Sequence, residues 1–240
     1  MATVILVRHG RSTANTSGVL AGRARGVHLD DVGRDQARAA GERVAGLPVA
    51  AIVTSPLERC RETARAVAAV LADPPQPVTE RGLLECEYGE WQGRPIAELA
   101  KEKLWKVVQQ QPSAVTFPGG ESMPAMQARA VAAVRRWDDR VTAEHGPDAV
   151  WIAVSHGDIL KSILADALGT HLDQFQRIQV DPASISIVRY TPVRPFVLGM
   201  NTHAGSLDWL RPPKRRRGRR PATADDAVIG GGAGPTAVAE

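Results

Sequence analysis

An α/β fold is predicted, a three-layer α/β/α sandwich with a mostly parallel sheet and a helical cap over the strand ends. Three observations predict it. The first is a pattern that occurs three times: an apolar run, a polar turn marked by Gly or Pro, and then a stretch of helix-forming composition, beginning at Val4, Ala50 and Ala149. The second is an interruption of that alternation over residues 86–121, which reads as a cap lying over the strand ends. The third is a pair of late strands, at 184–190 and 196–201, that close the domain.

Each element has a local reason. Val4-Ile5-Leu6-Val7 is a run of apolar, mostly β-branched residues and suits a strand buried on both faces. Gly10 permits a sharp turn after Arg8-His9, and Ser12, Thr13 and Asn15 follow just beyond the strand's carboxyl end. In an open α/β sheet that is where ligands bind, and these side chains suit an anion. Residues 16–32 read as a polar loop carrying Arg23 and Arg25 on a Gly-rich turn, with Asp30 or Asp31 capping a helix over 33–45. A second strand spans 50–54, and Pro56 suits the first turn of a helix running to Leu71. Asp73-Pro74-Pro75-Gln76-Pro77 breaks that helix. Residues 95–111 form one or two short helices, and a long helix covers 122–144. In its first half Met123, Met126, Ala130, Val131 and Val134 recur at helical spacing, as a core stripe does. The third strand, 149–154, leads through Ser155-His156-Gly157 into a helix over 158–168.

Composition sets the limits. The chain has 240 residues, 43% of them hydrophobic, and a net charge of +4. Residues 211–240 carry seven Lys/Arg against Asp225, Asp226 and Glu240, which leaves 23 basic and 23 acidic residues before them. The excess charge therefore belongs to the end of the chain, where Pro, Arg, Gly and Ala dominate. Such a stretch buries too little apolar surface to offset its ordering entropy. The expected organisation is a domain over 1–207 and a basic, disordered tail over 208–240. Two cysteines, Cys60 and Cys86, make no disulfide framework, and inert buried thiols are the expected reading. No leader pattern or membrane-length apolar run is present, so a cytoplasmic protein with no membrane partner is expected. The six histidines lack the spacings of a metal site, and neither a metal nor an organic cofactor is expected.

Taken together, Arg8-His9-Gly10 with Ser12 and Asn15, the Ser55-Pro56-Leu57-x-Arg59-x-x-x-Thr63-Ala64 stretch and Ser155-His156-Gly157 resemble the histidine phosphatase superfamily, in its phosphoglycerate mutase-like branch. The resemblance covers roughly residues 1–200 and extends to Gly33, Gln36 and Ala37, which match an architectural segment, and to Leu83-x-Glu85-x-x-x-Gly89-x-x-x-Gly93. It implies a phosphomonoester hydrolase working through a phosphohistidine. His9 would be the nucleophile; Arg8, Arg59, His156, Asn15 and Ser12 would bind phosphate; Glu85 would be the general acid. Physical chemistry agrees with those residue types. Guanidinium groups offer planar paired donors to phosphoryl oxygens, and neighbouring cations keep an imidazole neutral and able to attack.

Some assignments stay open at this level. Glu87 and Glu90 compete with Glu85, because an extended 84–88 segment puts Glu85 and Glu87 on one face. Ser12 could touch phosphate or merely cap the turn. Asp158 and Lys161, three apart on one helix, read as a structural ion pair. The alternative activity is a phosphoglycerate mutase. Against it, Ile96 stands where the mutases carry a Lys, and residues 101–111 hold no Arg pair, although Tyr88 matches the mutases. A third reading is a polyanion-binding protein that uses the tail through counterion release. The folded part would take a small phosphorylated substrate and no nucleic acid.

Overall fold

The computed structural model describes residues 1–205, 229–230 and 232–234. Its strands are β1 (Thr3–Arg8), β2 (Val49–Thr54), β3 (Val78–Thr79), β4 (Val150–Ser155), β5 (Ile185–Arg189) and β6 (Phe196–Thr202). Among the described residues they form one sheet in the order β3-β2-β4-β1-β5-β6. The first four are parallel, and β5 and β6 run antiparallel to their neighbours. The helices are α1 (Thr13–Ser17), α2 (Asp31–Glu42), α3 (Glu58–Ala68), α4 (Ile96–Leu99), α5 (Lys103–Gln110), α6 (Met123–His145) and α7 (Gly157–Ala167). Among the described residues, no helix is long and apolar enough to cross a membrane.

The period-2 alternation of a strand divides the core into two halves. From β1, Val4 and Leu6 join Trp151, Ala153, Met126, Ile159 and Ile163 on the face covered by α6 and α7. Ile5 and Val7 join Ile52, Ile152, Val154, Ala64 and Val67 on the face covered by α2 and α3. A sheet covered on both faces requires the near-continuous apolar strands seen in the sequence.

Register decides where the motifs meet. Arg8 stands opposite Ser155 in the β1–β4 pair, and Thr54 opposite Val154 in the β2–β4 pair. Just past the strand ends, the His9 amide donates to Ser155 O and the Ser55 amide donates to Val154 O, both at 2.9 Å. The three motif loops therefore leave the sheet side by side and at one level.

Several details differ from the sequence expectations. Asp30 does cap α2, accepting from the Gly33 amide at 2.7 Å. Pro56, however, precedes its helix, because Leu57 is the N-cap of α3. The loop expected from residue 16 begins inside α1, where Ser12 and Asn15 form a capping box. Residues 86–121 do form a cap, built from α4, α5 and 3₁₀ turns at Gly89–Trp91 and Pro112–Ala114. Its Trp91, Leu99, Val108 and Phe117 are sunk in the same core as α6. The expected disordered tail over 208–240 falls mostly outside the described residues. Within it Ile229, Gly230, Gly232, Ala233 and Gly234 are described, and they lie against the domain.

Candidate active site

The carboxyl ends of β1, β2 and β4 open onto a cavity of about 400 Å³. His9, Ser12, Asn15, Arg59 and Glu85 line it, together with Tyr88 and the cap residues Pro95, Ile96 and Ala97. Arg8 and His156 stand behind this lining with no exposed surface. All seven residues singled out in the sequence are thus gathered at one end of the sheet, five on the cavity and two behind it.

His9 is held at both nitrogens. Nδ1 lies 2.7 Å from Gly10 O, and Arg59 Nε lies 3.3 Å from Nε2. The tautomer consistent with both contacts has Nδ1–H donating to the carbonyl and a lone pair on Nε2. Burial first, then Arg59 and Arg8, hold the imidazole well below the usual histidine range, while the Gly10 carbonyl works weakly the other way. His9 is therefore neutral at neutral pH, with its lone pair on the side of Arg59.

The loop carrying His9 is clamped from two directions. Its Gly10 amide donates to Thr63 Oγ1 at 3.1 Å, and that hydroxyl donates to Arg59 O at 2.8 Å. From the other side α2 presses directly on the loop. A Cβ on Gly10 would stand 2.2 Å from Gly33 O, and a Cβ on Gly33 would stand 1.9 Å from Arg11 O. Gln36 Oε1 accepts from the Arg11 amide at 2.9 Å. These contacts give a physical reason for the Thr of the second motif and for the Gly and Gln of the architectural segment.

Arg59, 2% exposed, donates through Nη2 to Gly22 O at 2.8 Å. Its Nη1 has no partner among the described residues, so this buried cation keeps a donor in reserve. His156 packs edge-on to His9, with ring centroids 5.3 Å apart. Its Nε2 lies 2.8 Å from Ser55 Oγ, and burial with Arg59 nearby keeps it far below the usual histidine range as well. Ser55 escaped the sequence reading as a site residue, although it opens the second motif. Asn15 turns Oδ1 toward Ser12, accepting from the Ser12 amide at 3.0 Å and from its hydroxyl at 2.8 Å. Ser12 therefore caps the turn and also borders the cavity.

The geometry separates the three glutamates. Glu85 is 3% exposed and borders the cavity, with Oε1 accepting from the Cys86 amide at 2.9 Å. Burial foremost, and Asp158 next, push its carboxyl up to about 8, against the opposing pull of Arg59. Glu87 points outward to Arg23 at 2.8 Å, and Glu90 is exposed. The backbone under Glu85 is gripped by two arginines: Arg23 Nε and Arg129 Nη2 donate to Glu85 O at 2.9 and 3.0 Å. Glu121 holds both of these arginines in turn.

The ion pair expected between Asp158 and Lys161 is present at 4.0 Å, and Asp158 makes further contacts beyond it. It is fully buried, and its Oδ2 accepts from Tyr88 Oη at 2.7 Å and from the Gly230 amide at 3.0 Å. Lys161 also donates to Gln176 Oε1 at 3.1 Å. Cys60 and Cys86 are both buried, and burial raises each thiol, Cys60 to about 12. Among the described residues, no cluster of His, Cys, Asp or Glu could hold a metal ion.

Comparison with known proteins agrees with this geometry. The family model of the histidine phosphatase superfamily (branch 1) matches residues 4–203. The chain is 32% identical over 193 residues to the bifunctional protein Rv2228c of Mycobacterium tuberculosis, covering 78% of this chain and 50% of that one, so it spans about half that relative's length. It is 30% identical over 184 residues to the 2,3-bisphosphoglycerate-dependent phosphoglycerate mutase 2 of Gloeobacter violaceus, covering 75% and 82%. The solved structure of Bacillus stearothermophilus YhfR superposes with a TM-score of 0.74 at 27% identity, covering 82% of this chain and 96% of that one. With the family model spanning most of the chain and the motif loops converging on one cavity, the chain belongs to the histidine phosphatase superfamily, branch 1.

Proposed function

We propose that the protein hydrolyses small phosphomonoesters through a phosphohistidine formed on His9. The observation that carries this reading is the neutral His9, with its Nε2 lone pair beside Arg59 on a cavity that also holds a carboxyl raised to about 8. In the first step Nε2 attacks phosphorus and the bond to the leaving oxygen breaks. Glu85, protonated at neutral pH, delivers its proton to that oxygen. In the second step water attacks the phosphohistidine, Glu85 takes the water's proton, and the P–N bond breaks to release inorganic phosphate and free His9. Arg59 neutralises phosphoryl charge from the cavity side. Arg8 and His156 back the site from the protein side, with Ser12 and Asn15 as polar neighbours.

The cavity favours hydrolysis over a phosphoglycerate mutase reaction. Among the described residues that line it, Arg59 is the one cation, and the cap wall is Pro95, Ile96 and Ala97. Among these described lining residues a substrate's second anionic group, such as a glycerate carboxylate, finds no charged partner, whereas a neutral or apolar body meets a wall of matching character. The two buried, unpaired thiols suit a reducing compartment, the cytoplasm. The test is a panel of phosphomonoesters, 2- and 3-phosphoglycerate included, assayed for phosphate release and for isomerisation. Release from neutral-bodied esters without isomerisation is expected. Isomerisation outpacing release would establish the mutase instead.

A further inference from the structure

Residues 229–230 and 232–234 lie beyond the stretch matched by the family model, yet they touch the machinery of the site. We propose that this glycine-rich segment is a working wall of the active site that positions Arg8 and bounds the leaving-group space. The inference rests on reading the cavity as the phosphomonoesterase site.

The segment is anchored, not draped. Ile229 has no exposed surface and packs in the main core with Leu20 and Tyr88. Gly230 takes φ +74°, and a Cβ there would stand 2.9 Å from Leu20 Cδ1, so both conformation and space call for glycine. Its amide donates to Asp158 Oδ2 at 3.0 Å, the same oxygen that accepts from Tyr88. Gly232 O accepts from Arg8 Nη2 at 2.9 Å, while Arg8 Nη1 donates to Val180 O at 2.9 Å. Gly234, at φ +80°, closes against Asp181 and Pro182. The described residues of the segment thus touch Leu20 and Tyr88 beside the cavity, Arg8 behind it, and Asp181 and Pro182.

Arg8 is wholly buried, and the direction of a buried guanidinium is set by the acceptors that fix its fork. One of the acceptors fixing it belongs to this segment. The segment nevertheless leaves the cavity open: Ile229, Gly230, Gly232 and Ala233 line the same 400 Å³ space as His9, Arg59 and Glu85. A plug would fill that space, whereas these residues border it. Short glycine side chains let the backbone come this close without occupying the room a leaving group needs.

The experiment compares the full chain with chains ending at residues 234 and 228, and with Gly230→Val in the full chain. The readouts are p-nitrophenyl phosphate turnover, inhibition by orthovanadate and thermal melting. The chain ending at 234 should match the full protein. The chain ending at 228 should lose about tenfold or more in kcat/KM and bind orthovanadate correspondingly less well, the scale of one lost hydrogen bond to a charged group. Gly230→Val should move both readouts in the same direction. Unchanged or increased turnover and orthovanadate binding in the chain ending at 228 would overturn the proposal, the increase marking the segment as an inhibitory cover. If that chain fails to fold, Gly230→Val decides by the same two outcomes. A full chain inert toward every phosphomonoester would instead refute the phosphatase reading. Calorimetric binding of inorganic phosphate would then still decide the wall: about tenfold weaker without the segment supports it, and equal binding removes it.

Discussion

The floor and the roof of the cavity are built by different physics. The floor is the set of loops leaving β1, β2 and β4. Sheet register fixes their relative positions, and backbone contacts such as His9 N to Ser155 O hold them. Its residues are charged or imidazole groups sunk in protein, and burial tunes their protonation. The roof is the cap around Ile96 together with Ile229 and its glycine neighbours. It carries apolar walls and no cation among the described lining residues. On the proposed reading, the floor attacks phosphorus whatever alcohol is attached, and the roof selects the alcohol. One fold can therefore keep a reaction while its substrate changes.

The sharpest way to break this division is at the floor. His9→Ala should bring turnover of every phosphomonoester down to background while the melting temperature holds. A denaturing quench during wild-type turnover should capture acid-labile phosphate on His9, and none on the variant. A variant that still labels elsewhere and turns over normally would move the nucleophile.

Glu85→Gln should cost about 10²–10⁴-fold on an alkyl phosphate and far less on p-nitrophenyl phosphate, whose leaving group hardly needs a proton. Equal losses on both would make Glu85 a positioning group. The pH profile tests the environment of the same residue. On the proposed mechanism Glu85 must be protonated for the first step, so kcat/KM should be high at low pH and lost as pH rises through its raised value near 8. Asp158 is the second cause of that elevation, so Asp158→Asn removes a negative neighbour and favours the ionised carboxylate. The basic limb of kcat/KM should then move to lower pH, and a limb that stays in place or moves up contradicts the assignment. His9 lies well below the ordinary histidine range, so no acid limb should appear near pH 6.5.

The smallest effect is expected at the roof. Ile96→Lys should lower KM for 3-phosphoglycerate by about fivefold, the scale of a partly exposed ion pair near 1 kcal/mol, and leave p-nitrophenyl phosphate nearly unaffected. Equal changes for both substrates would mean that the cap does not discriminate between leaving groups.

The sequence disclosed the floor far better than the roof. Arg8, His9, Arg59 and His156 could be found because each stands just past an apolar run and within three residues of a Gly or Pro turn, a signal contained within a few positions. That β4 inserts between β1 and β2 could not be read, since strand order depends on long-range pairing. Ser55 looked like the start of a turn until His156, 101 residues away, came within 2.8 Å. The sequence offered Asp158 only as half of a structural ion pair with Lys161, because i,i+3 spacing says nothing about a tyrosine arriving from the cap. The glycine-rich stretch near 230 has no hydrophobic period at all. Composition argues for disorder there, and one buried isoleucine, the Gly230 amide donating to Asp158 and the Gly232 carbonyl accepting from Arg8 argue otherwise. Legibility falls as a residue's partners lie farther along the chain.

Gly10 and Gly33 leave no room for a methyl group between the loop that carries His9 and the first turn of α2. A saturation screen scored by colour development would accordingly flag position 33 as strongly as position 9, although Gly33 is not among the residues lining the cavity. The two would separate in the melting curve: Gly33→Ala should lose heat resistance and activity together, whereas His9→Ala should lose activity alone. On the proposed reading, a change at Ile96 alters which ester fits, whereas a change at Gly33 displaces the loop that carries His9.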